Sequence, residues 1–278
     1  MTAPAPDLRA CRDLAVALAH AAGRCLLEHR TSALRTVESK GRRRELVTAA
    51  DRAAEHIVVG GLLAAFPDHA ILAEEGVLTT QGQASKQADW TWIVDPLDGT
   101  TNFVHGLPFF AVAIALAFRN RPVVGVVHAP VLGETFAAAT GCGAVRQRGD
   151  GHPEPLRVSP TTNLADALLA TGFSYNRNEP GRDDNAARLA RVLPHCRDLR
   201  RLGSAELDLC YTAAGVYDGY WELYLAPYDV AAGAVIVQEA GGTVTDLAGG
   251  QDWLFGGQVL ASNGPLHEEL RQRLASPP

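Results

Sequence analysis

The sequence predicts a layered, mixed α/β fold. Apolar residues recur at helical spacing in several segments and form short continuous runs in others, so helix and strand patterns alternate along the chain. Such alternation is typical of sheets covered by helices. With 278 residues, 47% of them hydrophobic and 20% charged, the chain is long enough for one large domain or two coupled lobes around a sizeable core.

The first half contains two predicted helices and four predicted strands. Amphipathic spacing indicates helices over residues 7–30 and 51–65, the second ending at Phe66-Pro67. Short apolar runs indicate strands over residues 70–73, 90–94, 109–118 and 123–128. The last two strands form a predicted hairpin with Pro122 at its turn, and the polar stretch 76–87 is a predicted surface loop.

The second half repeats the alternation after a segment rich in glycine and proline between residues 141 and 155. We predict one unit over 1–278, with possible lobes 1–150, holding most of the metal ligands, and 151–278. The remaining predicted elements are an apolar segment at 167–170, helices at 186–193, 204–214 and 230–240, and strands at 217–225 and 243–245. Gly241-Gly242 ends the last of these helices.

Charge and cysteine usage exclude several classes of protein. The chain has 25 Lys and Arg against 31 Asp and Glu, and a formal net charge of -6 disfavours nucleic acid as the main ligand. The basic run Arg42-Arg43-Arg44 is followed by Glu45 and is typical of a solvated loop. Five scattered cysteines suit a reducing compartment, and the apolar segment 107–118 is too short to span a membrane. We therefore expect a cytoplasmic protein without a membrane partner.

The segment from Trp92 to Phe103 carries the strongest chemical signal. An apolar strand leads to Asp95, which precedes a proline, and Asp98 follows three residues later with Gly99 and Thr100 behind it. Two acids separated by a turn can converge on one point, and the backbone N–H groups of Gly99 and Thr100 can face an anion. Phosphate beside carboxylates requires cations, and oxygen ligands favour Mg²⁺ or Mn²⁺. The alternative is that both aspartates only form and cap turns.

A covalent route must also be weighed. Haloacid-dehalogenase-like phosphatases carry Asp-x-Asp-Gly-Thr at a strand end, with the first Asp as nucleophile and the second as acid/base. Here the spacing is three residues, and Leu97 occupies the place of the second acid. An aspartyl-phosphate intermediate is therefore disfavoured.

Four segments, in order, resemble the inositol monophosphatase family of metal-dependent, lithium-sensitive phosphatases. They are Leu46-Val47-Thr48-Ala49-Ala50-Asp51, Ala73-Glu74-Glu75-Gly76, residues 92–116, and Pro227-Tyr228-Asp229-Val230-Ala231-Ala232-Gly233. The resemblance implies a layered αβαβα sandwich of the inositol monophosphatase and fructose-1,6-bisphosphatase type, and a homodimer.

The resemblance also implies a set of metal ligands. It places Glu74, Asp95, the backbone carbonyl of Leu97, Asp98 and Asp229 around two or three Mg²⁺ ions, for which Mn²⁺ is an expected substitute. Four carboxylates and a phosphate dianion carry six negative charges, so three Mg²⁺ ions would neutralise them. Asp229 has an alternative role as the N-cap of the following helix.

The implied reaction is attack of a metal-activated water on phosphorus, in line with the leaving alkoxide. By resemblance, Glu74 and the Thr100 hydroxyl position and help deprotonate this water, and Asp51 hydrogen-bonds Thr100. Asp51 is also explained as an acid in the first turn of a helix.

The implied substrate is a small polyol phosphate, with inositol 1-phosphate the best single choice. The resemblance assigns substrate contacts to Asp98, Gly99, Thr100, the backbone near Ala205, and Glu222. Glu222 is equally explained as a surface acid on a strand. Fructose 1,6-bisphosphate, 3′-phosphoadenosine 5′-phosphate, histidinol phosphate and NADP remain alternative substrates, because the shared metal site does not select the leaving group.

The chain departs from the family pattern at three positions. Ala73 stands where glycine is common, Tyr228 stands where tryptophan is usual, and Glu45 replaces an aspartate in a loop that helps to hold a third metal. The Glu45 change affects the expected affinity of that metal. Lys40 matches a basic residue of the same loop. The alternative from another class is a non-catalytic regulatory or RNA-associated protein, which loss of a ligand would favour; here all four acids and Thr100 are present.

Overall fold

Two large sheets and three layers of helices make up the part of the chain that the computed structural model describes, residues 6–33, 37–39, 46–76, 88–175 and 177–275. Lys40, Arg42 to Arg44, Glu45 and most of the predicted loop 76–87 lie outside the described residues. The described helices are α1 (Leu8–Ala33), α2 (Ala49–Ala65), α3 (Thr100–Val104), α4 (Ala186–Val192), α5 (Ala205–Ala213), α6 (Ala231–Glu239) and α7 (His267–Leu274).

The first sheet has its strands side by side in chain order. A separate antiparallel pair, β1 (Val37–Ser39) and β2 (Leu46–Thr48), precedes it. The strands of the sheet are β3 (Ala70–Ala73), β4 (Trp90–Asp98), β5 (Ala111–Phe118), β6 (Arg121–Ala129), β7 (Glu134–Ala139), β8 (Ala144–Arg148) and β9 (Glu154–Pro155). The β3–β4 pair is parallel and the other pairs are antiparallel. Glu74 therefore follows β3 directly beside β4.

The second sheet has five strands in the order β11-β10-β12-β14-β13. They are β10 (Leu168–Thr171), β11 (Asp198–Arg200), β12 (Gly219–Leu223), β13 (Thr243–Thr245) and β14 (Gln258–Ser262). The two pairs that include β10 are parallel, and the two that include β14 are antiparallel. Both sheets are therefore mixed.

Successive side chains of β4 point to opposite faces of the first sheet, and each face is covered by its own layer of helices. Trp92 and Val94 are fully buried against α1 and α2, whereas Ile93 lies in the cluster that joins the first sheet to α5 and α6. This alternation is what a strand with a period of two produces when both faces are covered. Trp221 belongs to a third cluster, with α7 on the outer face of the second sheet. The αβαβα fold class predicted from the sequence is confirmed.

Two local predictions in the first sheet are wrong. β4 continues through Asp95 to Asp98, with a register shift between these two aspartates, because Leu97 N–H bonds the Asp95 side chain. Pro122 lies inside β6, and the hairpin turns at Arg119 and Asn120, whose φ angles are 47° and 63°. Two residues with positive φ match the right-handed twist of a hairpin.

The segment 141–155 does not interrupt the first sheet. It contains β8 and β9, and the second sheet begins only at Leu168. The organisation as one unit with two lobes stays a prediction. No helix in the described ranges is long and apolar enough to cross a lipid bilayer.

Candidate active site

Most of the residues selected from the sequence line one cavity of about 450 Å³. They come from the ends of both sheets, from the first turns of α3 and α5, and from the 3-10 turn before α6. These lining residues are Glu74, Asp95, Leu97, Asp98, Gly99, Thr100, Ala205, Glu222 and Asp229. The fold thus brings together positions more than 150 residues apart.

Glu74 and Asp95 arrive on neighbouring strands. Glu74 N–H donates to the Val94 carbonyl at 3.2 Å, which extends the parallel β3–β4 pairing by one residue and sets Glu74 beside Asp95. Burial and the nearby charge of Glu74 raise the pKa of Asp95 well above its usual range. Two acids in this arrangement repel each other when both are ionised.

A bulge at the end of β4 turns both aspartates into the same cavity. Leu97 N–H donates to Asp95 Oδ1 at 2.9 Å, so one side chain replaces a bond of the strand ladder. Gly99 then adopts a φ of 89°, and a Cβ there would lie 2.8 Å from the Phe109 carbonyl oxygen. Only glycine fits this turn without strain.

Asp98 is held by the beginning of α5. Its carboxylate accepts hydrogen bonds from Ser204 Oγ at 2.5 Å, Glu206 N–H at 2.8 Å and Ala205 N–H at 3.2 Å. Burial raises the pKa of Asp98, and these three donors counteract part of that rise. The carboxylate is fixed in orientation by these bonds.

Asp229 lies in a 3-10 turn, Pro227–Asp229, just before α6. Its carboxylate accepts the Ala226 N–H at 2.6 Å, and the N-cap position of α6 is Val230. The alternative role of Asp229 as the N-cap of this helix is therefore wrong. Burial and the charge of Glu74 raise the pKa of Asp229 well above its usual range.

Thr100 and Asp51 lie at the beginnings of α3 and α2. The Thr100 hydroxyl donates to the Leu97 carbonyl at 3.1 Å, and the hydrogen bond implied between Thr100 and Asp51 stays a prediction. The bulge brings the Leu97 carbonyl within reach of that hydroxyl. Asp51 is fully buried in the first turn of α2, and carboxylate oxygens of Asp51, Glu74 and Glu75 lie within 4.8 Å of one another.

Glu222 lines the same cavity from the second sheet. It is half-buried in β12, and Tyr220 Oη donates to its Oε2 at 2.6 Å. Burial raises the pKa of Glu222 to about 7, although the Tyr220 hydrogen bond and the Arg201 charge oppose the rise. A Cβ at Gly172 would overlap this carboxylate, so glycine leaves the space that it occupies.

Several residues in or next to the cavity were not selected from the sequence. Ser204 and Glu206 contact Asp98, and Arg201 lines the cavity with an exposed side chain. Tyr175 Oη lies 2.9 Å from Thr101 Oγ1, and Tyr224 adopts a φ of 62° at the rim. Only Ser204 left a signal, as the first residue of the predicted helix 204–214.

The donors in the cavity suit hard divalent cations. Three buried or half-buried aspartates, Glu74 and a backbone carbonyl offer oxygen atoms alone, which is the donor set of Mg²⁺ and Mn²⁺. Bound cations would also offset the repulsion that raises the pKa of Asp95 and Asp229. The residues present therefore fit a metal centre.

Comparison with known proteins gives consistent matches. The model of the inositol monophosphatase family matches residues 7–277. The Nus factor SuhB of Pseudomonas aeruginosa is 44% identical over 229 residues, 82% of either chain, and the inositol-1-monophosphatase of Synechocystis sp. is 44% identical over 243 residues, 87% of this chain and 81% of that one. The structure of the extragenic suppressor protein suhB from Bartonella henselae superimposes with a TM-score of 0.85 at 38% identity, covering 96% of this chain and 99% of that one.

Proposed function

Because the chain belongs to the inositol monophosphatase family and is a phosphoric monoester hydrolase of this metal-dependent family, we propose that it hydrolyses a small polyol phosphate with Mg²⁺, and that inositol 1-phosphate is the substrate. The observation that carries the proposal is the convergence of four carboxylates and Glu222 on one cavity of about 450 Å³. A cavity of this volume is in the range of those that bind small molecules.

The ligands of the proposed metal ions are Glu74, Asp95, the Leu97 carbonyl, Asp98 and Asp229. Together they would hold two or three Mg²⁺ ions, for which Mn²⁺ would substitute. When bound, such ions make a nearby water more acidic and stabilise charge on phosphate oxygens. Asp95 is a ligand and not a nucleophile in this proposal, since Leu97 occupies the place where a covalent route needs its second acid.

The remaining catalytic roles fall to Glu74, Thr100 and Asp51. Glu74 would accept the proton of the attacking water at its carboxylate, and the Thr100 hydroxyl would orient that water. Asp51 would act on Glu74 and not on the substrate, because carboxylate oxygens of Asp51 and Glu74 lie within 4.8 Å of each other. The N–H groups of Gly99 and Thr100 would face the phosphate.

The proposed substrate contacts are made by Asp98, Ala205 and Glu222. A carboxylate accepts two hydroxyl hydrogen bonds, which suits a polyol. The Synechocystis relative supports the choice of inositol 1-phosphate through its name, inositol-1-monophosphatase. Fructose 1,6-bisphosphate, 3′-phosphoadenosine 5′-phosphate, histidinol phosphate and NADP are the alternatives to be compared. Inhibition by lithium, a homodimer and a cytoplasmic location belong to the same proposal.

A regulatory role is the second candidate. It is favoured by the Pseudomonas aeruginosa relative, which is called a Nus factor. The presence of every proposed metal ligand supports catalysis, and a protein that acts only as a regulator would give no metal-dependent hydrolysis of any ester.

The experiment that tests the proposal removes metal from the protein with EDTA. It then compares hydrolysis of inositol 1-phosphate and of the four alternative esters with and without added Mg²⁺. We expect no hydrolysis without metal, restored activity with Mg²⁺, and the highest kcat/KM for inositol 1-phosphate. A higher kcat/KM for another ester would contradict the substrate. No hydrolysis of any ester would contradict the catalytic function and favour the regulatory one.

Glu222→Gln separates recognition of the alcohol part from chemistry. The substitution keeps the shape and weakens charge-assisted hydrogen bonds worth roughly 1.5–3 kcal/mol. We expect kcat/KM for inositol 1-phosphate to fall about ten- to a hundredfold, while hydrolysis of p-nitrophenyl phosphate, which lacks the hydroxyls, changes little. Both rates are measured at saturating Mg²⁺.

The matched control for this prediction is Glu154→Gln, because Glu154 is an exposed acid on β9 outside the cavity. It should leave both rates unchanged. Equal losses on both esters in Glu222→Gln would mean that Glu222 supports the metal centre, and no loss on either would make it a surface acid.

A further inference from the structure

Glu206 is a buried acid that the proposed chemistry leaves without a role. It lies in the first turn of α5 with no solvent exposure. Its carboxylate accepts two backbone hydrogen bonds from the first turn of α6, from Ala232 N–H to Oε1 at 3.1 Å and from Gly233 N–H to Oε2 at 2.5 Å. Within the described residues, these two backbone groups are the only hydrogen-bond partners of the Glu206 carboxylate. Burial, with the charge of Asp98 adding to it, raises its pKa well above the usual range.

The same residue also holds Asp98. The backbone N–H of Glu206 donates to Asp98 Oδ2 at 2.8 Å, while its side chain holds the helix that begins two residues after Asp229. Glu206 thus links Asp98, at the end of β4, to the helix that follows Asp229. The path from one carboxylate to the other runs through a single residue and the first turn of α6.

The packing around this carboxylate is closely fitted. A Cβ at Gly233 would lie 2.7 Å from Glu206 Oε2 and 2.5 Å from Leu209 Cβ, so the acid fits only because residue 233 is glycine. A buried acid without a cationic partner is unfavourable compared with an apolar side chain of similar size. An acid at this position therefore lowers the stability of the fold. A role in the geometry of the site would explain why the chain has one here.

We propose that Glu206 is a positioning residue that sets the spacing between Asp98 and Asp229, and thereby the affinity for the metal ion that these two carboxylates would share. The proposal rests on the metal-dependent function proposed above. It predicts a defect in metal binding and not in the chemical step.

A glutamate on α6 itself provides the matched control. Glu239, at the last position of α6, accepts Gly141 N–H at 3.0 Å and Gly143 N–H at 2.8 Å. Its hydrogen bonding is of the same kind, but it lies on the order of 12 Å along the helix from Ala231, at a rise of about 1.5 Å per residue. The substitution Glu239→Gln replaces one of these two acceptor oxygens and disturbs the end of α6 without reaching Asp229.

The experiment titrates Mn²⁺ into the metal-free full-length protein and measures binding by calorimetry and by electron paramagnetic resonance. In Glu206→Gln, where one of the two N–H groups meets an amide NH₂ in place of an oxygen, we expect one Mn²⁺ site to weaken about five- to fiftyfold and every other Mn²⁺ site to be unchanged. The Mg²⁺ concentration for half-maximal activity should rise in parallel, with kcat at saturating Mg²⁺ within about twofold. Glu239→Gln should leave Mn²⁺ binding unchanged.

A second variant, Gly233→Ala, displaces the Glu206 carboxylate without removing it and should weaken the same Mn²⁺ site. Unchanged Mn²⁺ binding in both variants, or equal weakening of every site together with a lowered melting temperature, would overturn the proposal. Failure of the proposed function looks different: the unsubstituted protein would bind Mn²⁺ at the same sites and hydrolyse none of the esters. If the unsubstituted protein binds no Mn²⁺, the positioning role is refuted as well.

Discussion

Asp229→Asn should reduce kcat/KM for inositol 1-phosphate by about a thousandfold or more, roughly 4 kcal/mol in transition-state stabilisation, while the protein stays folded. The substitution removes a negative charge from the proposed metal ligands and nearly preserves the side-chain shape. An amide oxygen still accepts the Ala226 N–H that now bonds the carboxylate at 2.6 Å. The 3-10 turn before α6 is therefore retained.

The effect on stability separates a metal ligand from a structural residue. Burial and the charge of Glu74 raise the pKa of Asp229, so its ionised form opposes folding of the metal-free protein at neutral pH. The metal-free variant should melt at the same temperature as the metal-free parent or at a higher one. Added Mg²⁺ should raise the melting temperature of the parent more than that of the variant, because a ligand that binds the folded state stabilises it.

Asp246→Asn is the control for this prediction. Asp246 also accepts backbone N–H groups, from Ala248 at 2.9 Å and Gly250 at 2.8 Å, but it lies in a loop that does not line the cavity. Its substitution should leave hydrolysis unchanged. Full activity of Asp229→Asn would make Asp229 a turn residue and refute its role in the metal centre.

The motif residues could be selected from the sequence because each follows an apolar strand or precedes a helix. Asp95, Asp98 and Asp229 stand at such boundaries, and the structure brings all three to one cavity. Their exact neighbours could not be selected in this way. The partner of the Thr100 hydroxyl depends on the bulge in β4, which places the Leu97 carbonyl within its reach.

Long-range contacts explain most of what the sequence left out. Glu206 is more than 100 residues from Asp98 in the chain, and nothing in the local pattern of a helix tells whether an acid faces solvent or another helix. The strand β7 was missed because all of its residues are buried and the period of two is absent, and β8 was missed because it is short and stands between Gly143 and Gly149.

Gly125→Ala should lower the free energy of unfolding by about 3 kcal/mol, the upper range for forcing atoms into a packed core. Gly125 lies in β6, where α6 crosses the first sheet. A Cβ there would overlap the Ala232 carbonyl oxygen and come within 2.9 Å of its carbonyl carbon and 3.0 Å of its Cα. These are backbone atoms of a helix, so no side-chain rotation relieves the overlap.

Gly60→Ala is the opposite case and serves as the control. Gly60 lies in α2, and a Cβ there would meet nothing within 4 Å. Alanine is favoured over glycine inside a helix by about 1 kcal/mol, so this variant should be more stable than the parent. Urea unfolding of both variants in the metal-free state measures the two effects, which should differ in sign.

The overlap at Gly125 also reaches the proposed metal centre. Ala232 carries the carbonyl that the new methyl group would push, and its N–H bonds Glu206 at 3.1 Å. Gly125→Ala should therefore weaken the same Mn²⁺ site as Glu206→Gln, measured at a temperature where the variant is fully folded. Because both changes act through Ala232, their effects on that site should be less than additive in the double variant. Fully additive effects would mean that the two substitutions reach the site by separate routes. Intact Mn²⁺ binding in Gly125→Ala would mean that the start of α6 moves without moving Asp229.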